Sequence, residues 1–141
     1  MSIQNRSVLR FKNYIVKEIQ YKINNKFNDE NEKVALDFSF DHGVEYFDEQ
    51  KCMEVELTVY IFTNAQKNNY PFEMKVSLTG FFEVEARDFD IRMFESNALA
   101  IMFPYLRALV STYTANANLA PVILPAMNIN AYLRNKYKNI Q

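Results

Sequence analysis

The hydrophobic period of this chain changes once. Up to about residue 86 apolar residues recur at every second position; from about residue 95 they recur every third or fourth. The first spacing lines one face of a β-strand and the second one stripe of an α-helix. That switch confines the chain to four strands followed by two helices, an α+β architecture. YIVKEIQYKI (14–23) sets Ile15, Ile19, Tyr21 and Ile23 against Glu18, Gln20 and Lys22, as in a half-buried strand. VALDFSF (34–40) alternates without a break, Val34, Leu36, Phe38 and Phe40 against Ala35, Asp37 and Ser39. A slip by one residue exposes all four apolar side chains, which fixes the register. DHG (41–43) is expected to end this strand, with His42 a turn residue. CMEVELTVYIF (52–62) gives a core face of Met53, Val55, Leu57, Val59 and Ile61. FEMKVSLTGFFEVEA (72–86) gives another, of Phe72, Met74, Val76, Leu78, Phe82 and Val84. Gly80 falls on that face, the mark of a bulge or a close backbone approach.

Ser96 is the expected N-cap of a helix running to about Ala115, kinked where Pro104 removes a backbone hydrogen bond. Its apolar residues are Leu99, Met102, Phe103, Leu106, Leu109, Val110 and Tyr113. They exceed what one sheet covers, so this set is expected to form an interface with a partner subunit. Pro121 and Pro125 then flank a stiff bridge, Val122, Ile123 and Leu124. Asn128 is placed to cap a last helix with Ile129, Tyr132, Leu133 and Tyr137 on one face.

Composition narrows function. The 141 residues suit one domain over 1–141, and 49% hydrophobic content argues against disorder. A net charge of −1 with interspersed signs gives no basic face for nucleic acid. No apolar stretch approaches the roughly 18 residues a membrane helix needs, and the N-terminus lacks a signal-type apolar core. With one cysteine, Cys52, a cytoplasmic location is the expectation. Two glycines exclude a phosphate-binding loop, and one histidine excludes a histidine metal cluster. The acid pairs Glu54/Glu56 and Glu83/Glu85 lie on strand faces with no mark of a cleft. No catalytic residue, cofactor or metal is expected, and the chain does not read as an enzyme.

Two stretches, FPYLRALVS (103–111) and LAPVILPAMNINAYL (119–133), resemble the protein-export chaperone SecB family, and the strand order matches over about residues 10–137. The resemblance implies a four-stranded antiparallel sheet followed by a long kinked helix and a short C-terminal helix. It implies a homotetramer, a dimer of dimers, with the long helices between sheets. It also implies an ATP-independent holdase that binds unfolded polypeptide, a preprotein or an antitoxin, in hydrophobic grooves. Carried onto this sequence, the client groove takes Val34, Leu36, Phe38 and Phe40, then Val122, Ile123 and Leu124, then Ile129, Tyr132 and Leu133. Family members that deliver to the export motor SecA use acids on the sheet. Of these the chain keeps Glu18 but carries Lys22 and Lys75 where other acids are expected. Two sign reversals oppose docking of a basic surface. Two further readings stand beside the chaperone: a small-molecule module holding an apolar ligand between sheet and helix, and a structural protein that oligomerises through its helices.

Overall fold

The computed structural model describes residues 8–28, 34–85 and 89–138. The two strands of cleanest alternation, β3 (Cys52–Ile61) and β4 (Phe72–Val84), lie at the centre of the sheet. β1 (Leu9–Ile23) flanks β4 and β2 (Phe38–Phe47) flanks β3, every neighbouring pair antiparallel. A single turn of helix, α1 (Ala65–Asn68), joins β3 to β4 between two left-handed asparagines, Asn64 and Asn69. After β4 a 3-10 turn (Ile91–Phe94) leads into the long α2 (Glu95–Asn116), and α3 (Ile129–Lys138) follows the proline-flanked bridge.

The register brings the alternating positions together. Val55 pairs with Gly80, Leu57 with Leu78 and Val59 with Val76, so these side chains share the face that α2 covers. Met53, Val55, Leu57, Val59, Ile61, Val76, Leu78 and Phe82 are all buried. The opposite face is mostly polar, with Tyr60 and Phe81 among its members. There Thr58 and Ser77 stand opposite one another and share a hydrogen bond of 2.7 Å. Gly80 marks a close approach and no bulge: a Cβ built there meets Met102 Sδ at 2.9 Å and the Phe82 ring at 2.9 Å. The helix sits so low on β4 that this strand position has no room for a methyl.

Three expectations need correction. The second strand starts at Phe38, not Val34, and runs through DHG to Phe47. Pairing begins at Phe38 because its partner is Ile61, the last residue of β3. Beyond it Phe62 turns to a positive φ, and only its N–H reaches back, to the Asp37 carbonyl. β1 starts at Leu9 and carries register shifts between Phe11 and Asn13 and between Val16 and Glu18. An extra residue reverses the alternation beyond it. Ile15 therefore pairs with Thr79 on the polar face, while Tyr14 and Val16 join Ile19 and Tyr21 on the helix side. α2 begins at Glu95, so Ser96 lies inside the first turn; Asp90 caps instead, accepting from the Arg92 N–H at 3.0 Å before the 3-10 turn. α2 runs on through Pro104, which lies on its exposed side. Pro104 has no N–H to donate to the Ala100 carbonyl one turn back, and Ala100 is exposed as well.

The residues expected at a helix interface pack as follows within the protomer. Leu99, Met102, Phe103, Leu106 and Val110 are buried against the chain's own sheet. Only Leu109 and Tyr113 of the seven keep part of their surface. Within the protomer the sheet covers most of the stripe, chiefly through β3 and β4.

Gly80→Ala forces Met102 and Phe82 aside, and should lower unfolding stability by about 1–3 kcal/mol. Gly43→Ala, where nothing lies within 4 Å of the new methyl, should leave the denaturation midpoint nearly unchanged. Equal midpoints for the two variants would contradict this packing.

Candidate functional site

The candidate surface starts in the segment before β2. Val34, Leu36, Phe38 and Phe40 alternate half-buried with exposed Ala35, Asp37 and Ser39. All four apolar side chains pack against the core cluster at its margin. The Phe38 and Phe40 rings meet edge to face at 5.5 Å, and Phe40 meets Phe103 of α2 in the same way at 5.5 Å. These side chains are anchored on one side and open on the other.

The bridge is held by hydrogen bonds as well as by its prolines. The Val122 N–H donates to Thr114 Oγ1 at 2.9 Å, and the Val122 carbonyl accepts from Ser111 Oγ at 2.8 Å. Both groups lie on α2, so the bridge runs along that helix in one orientation. An extended chain turns successive side chains opposite ways. Val122 is accordingly half-buried, Ile123 is 65% exposed, and Leu124 is buried in the core. Leu124 is therefore a foundation of the bridge, and Ile123 is its outward residue.

α3 starts where Asn128 caps it, Oδ1 accepting from the Ala131 N–H at 3.0 Å. Ile129, Tyr132 and Leu133 are half-buried against the core margin. Beside Ile129 an open depression of about 350 Å³ separates α3 from Ser96, Asn97 and Ala100 of α2.

A polar cluster ties α3 to the rest, and His42 is its centre. The imidazole is buried, far from the turn residue that the sequence suggested: it lies on the helix-facing side of β2, opposite Leu57. Nδ1 meets the Tyr132 hydroxyl at 2.7 Å and Nε2 meets Glu95 of α2 at 2.8 Å. Lys136 lies 3.1 Å from Nδ1 and 3.0 Å from Asp41, and also donates to the His42 carbonyl. Tyr137 donates to Glu95. Burial works to raise the Asp41 carboxyl, but hydrogen bonds from Lys136 and the His42 N–H outweigh it and hold the group below its ordinary range. Burial, with the Asp41 and Glu95 charges, pushes the Tyr132 phenol up to about 12. Burial and the Glu95 hydrogen bond push Tyr137 up as well. One signal pointed here: the alternation of Val34, Leu36, Phe38 and Phe40 continues in phase through His42, Val44 and Tyr46.

On the polar face Glu18 is held by Lys75 at 2.8 Å. That hydrogen bond lowers the Glu18 carboxyl and raises the Lys75 ammonium. Lys22 stands opposite Glu73. The Glu18 charge is thus met within the chain. Among the described residues no group of three or more His, Cys, Asp or Glu is placed to hold a metal. No described helix is long and apolar enough to cross a membrane.

Residues 4–139 match the protein family described as preprotein translocase subunit SecB. An uncharacterized protein of Methanocaldococcus jannaschii is 38% identical over 135 residues, covering 92% of this chain and 85% of that one. A solved structure of a SecB-like chaperone from Mycobacterium tuberculosis, in complex with a ChAD peptide from the HigA1 antitoxin, has the same fold. It superposes with a TM-score of 0.68 at 13% identity, covering 84% of this chain and 90% of that chain.

The Tyr132 phenol yields a pH prediction. A proton held more tightly in the folded state stabilises it below the unfolded value of about 10, and that contribution disappears as pH rises through about 12. The α3 helix should loosen across that window, read as lost helicity, and Tyr132→Phe should lose less. An identical alkaline profile in the variant would contradict the assignment.

Proposed function

This chain belongs to the SecB family, and on that premise we propose that it is an ATP-independent holdase for unfolded or aggregation-prone polypeptide. The observation that carries this reading is the half-covered stripe Val34, Leu36, Phe38 and Phe40, bordered by the bridge and by α3. Its side chains are fixed from behind by Phe103 and the core, so a ligand meets a preordered apolar surface. Of the bridge, Ile123 and Val122 contribute; of α3, Ile129, Tyr132 and Leu133. The antitoxin peptide on the structurally similar chaperone supports a polypeptide client.

Magnitudes fit weak, reversible holding. Three large apolar side chains contribute roughly 1.5–3 kcal/mol each on burial. Ordering a segment of about seven residues costs about 1–2 kcal/mol per residue. The terms nearly cancel, so one site releases its client without ATP. Several sites on one oligomer raise avidity by about 10²–10⁴ when a long client spans them. An open, aromatic-rich surface also discriminates poorly between sequences, which suits unfolded clients.

The oligomer of this reading is a homotetramer, and exposed aromatics beside β1 are proposed to join Leu109 and Tyr113 of α2 in its interface. Tyr105 on the outer side of α2 meets the Tyr14 ring at 4.8 Å and the Phe11 ring at 5.5 Å. Tyr14, Val16 and Tyr105 are exposed in the protomer, along the free edge of β1. A long apolar edge strand is a pairing surface unless covered. Exposed aromatics of that kind favour a second copy of the chain. The setting is the cytoplasm.

Motor docking is not part of the proposal, because Lys75 neutralises Glu18 and Lys22 adds a positive charge on the same face. SecA binding should be weak or absent at physiological salt; clear binding there would reverse this conclusion. Aggregation of a denatured substrate should be suppressed at about one oligomer per client, and Phe38→Asp with Phe40→Asp should abolish it while solution mass is retained. Ile123→Asp, on a side chain already in water, tests the same surface without touching the core. If both variants protect the substrate as well as the parent, the client surface lies elsewhere.

A further inference from the structure

We propose that a client segment docks as an added strand on the free edge of β2, and that Asp41 and Lys136 stop it at His42. The inference deepens the holdase reading and rests on it. The order of the sheet leaves β2 with one unpaired edge. Two observations fix which backbone groups face outward there. The Phe62 N–H donates to the Asp37 carbonyl at 2.9 Å, so residues in phase with Asp37 bond inward to β3. The His42 N–H instead turns away from β3 to Asp41 Oδ1 at 2.9 Å, and the His42 carbonyl accepts from Lys136 Nζ. Inward and outward residues alternate along an antiparallel ladder. Phe38, Phe40, His42, Val44 and Tyr46 therefore turn their N–H and C=O groups outward.

The same residues carry the side chains that pack toward the core, so Phe38 and Phe40 present an open main chain and an apolar stripe together. A polypeptide offers N–H and C=O groups at every second residue with side chains on one face, and the occupant is accordingly an extended chain. Every pair in this sheet is antiparallel. In that sense, client residues opposite Phe38 and Phe40 bond through their main chain and lay their side chains beside the two rings. Main-chain bonds are common to all sequences, so the pairing serves clients that share no motif. At His42 the edge is closed. Asp41 takes the outward N–H, Lys136 of α3 takes the outward carbonyl, and the two side chains pair at 3.0 Å. Charged side chains on a strand edge block further pairing. Among the described residues none bonds the outward groups of Phe38 or Phe40. Beyond the stop the edge ends in charge, with Arg92 over the Tyr46 ring at 4.6 Å and paired with Asp48 at 2.8 Å.

The test uses the full chain and a peptide of about nine alternating leucines and threonines, flanked by lysines and long enough to pass His42. Backbone N-methylation of its leucines removes the donors that face β2; methylation of its threonines removes donors that face water. Affinity should fall about tenfold or more in the first form and hold in the second. Equal affinities of the two forms, or a loss confined to the threonine form, overturn strand addition. Amide hydrogen exchange reads the place. With the unmethylated peptide bound, the Phe38 and Phe40 N–H should gain about tenfold protection or more, and that of Val44 none. Protection of Phe38 and Phe40 before any peptide is added means that the edge is already filled, by a second copy or by the chain itself, and overturns the proposal. Protection that runs on through Val44 overturns the stop. Asp41→Ala with Lys136→Met clears the stop and should let protection spread to Val44; no spread in the folded variant overturns it as well. Suppressed aggregation of a denatured substrate with both phenylalanine amides unprotected leaves the holdase standing and removes strand addition, whereas failure of both readouts removes both.

Discussion

The contact between α2 and the centre of the sheet supports every other feature of this fold. Met102 lies against Gly80 so closely that no side chain fits beneath it. Leu99, Leu106 and Val110 extend that burial along β3 and β4. A helix seated this low covers the middle strands completely and the outer strands only in part. The two margins it leaves differ in character. Along β1 the margin is a free strand edge with tyrosines. Along β2 it is the anchored stripe that runs from Val34 to Phe40.

α2 also dictates the course of the chain after it. Its last turns offer Ser111 and Thr114, and these two hydroxyls hold both backbone groups of Val122. Its first residue, Glu95, reaches His42 and Tyr137. The bridge and α3 are thus tied to opposite ends of one helix by polar contacts, with Leu124 seated in the core between them. α3 has no fully buried residue. An element held by hydrogen bonds at the rim of a core is the one that moves first when those bonds change.

Much of the fold was legible because the central strands are buried on the helix side along their whole length. The alternation of β3 and β4 admitted one register, and the asparagine at 128 one helix start. β1 was misjudged because its bulges exist only against β4. The start of β2 was misjudged for a similar reason. Its alternation runs unbroken from Val34 to Tyr46, but pairing begins only where β3 ends, at Ile61. The α2 stripe was recognised, and most of it lies against the chain's own sheet. Apolar spacing counts the residues that seek cover and is silent about what covers them.

The sequence by itself determined which faces are apolar and where the period changes, and it marked Gly80 as a bulge or a close approach. It also carried the motifs that place the chain in its family. The tertiary structure decided which apolar faces stay open, which bridge residue points outward, and why the one histidine is buried. The reason is range. Periodicity is written over four to eight neighbouring residues, whereas the partners of His42 lie 53, 90 and 94 positions away.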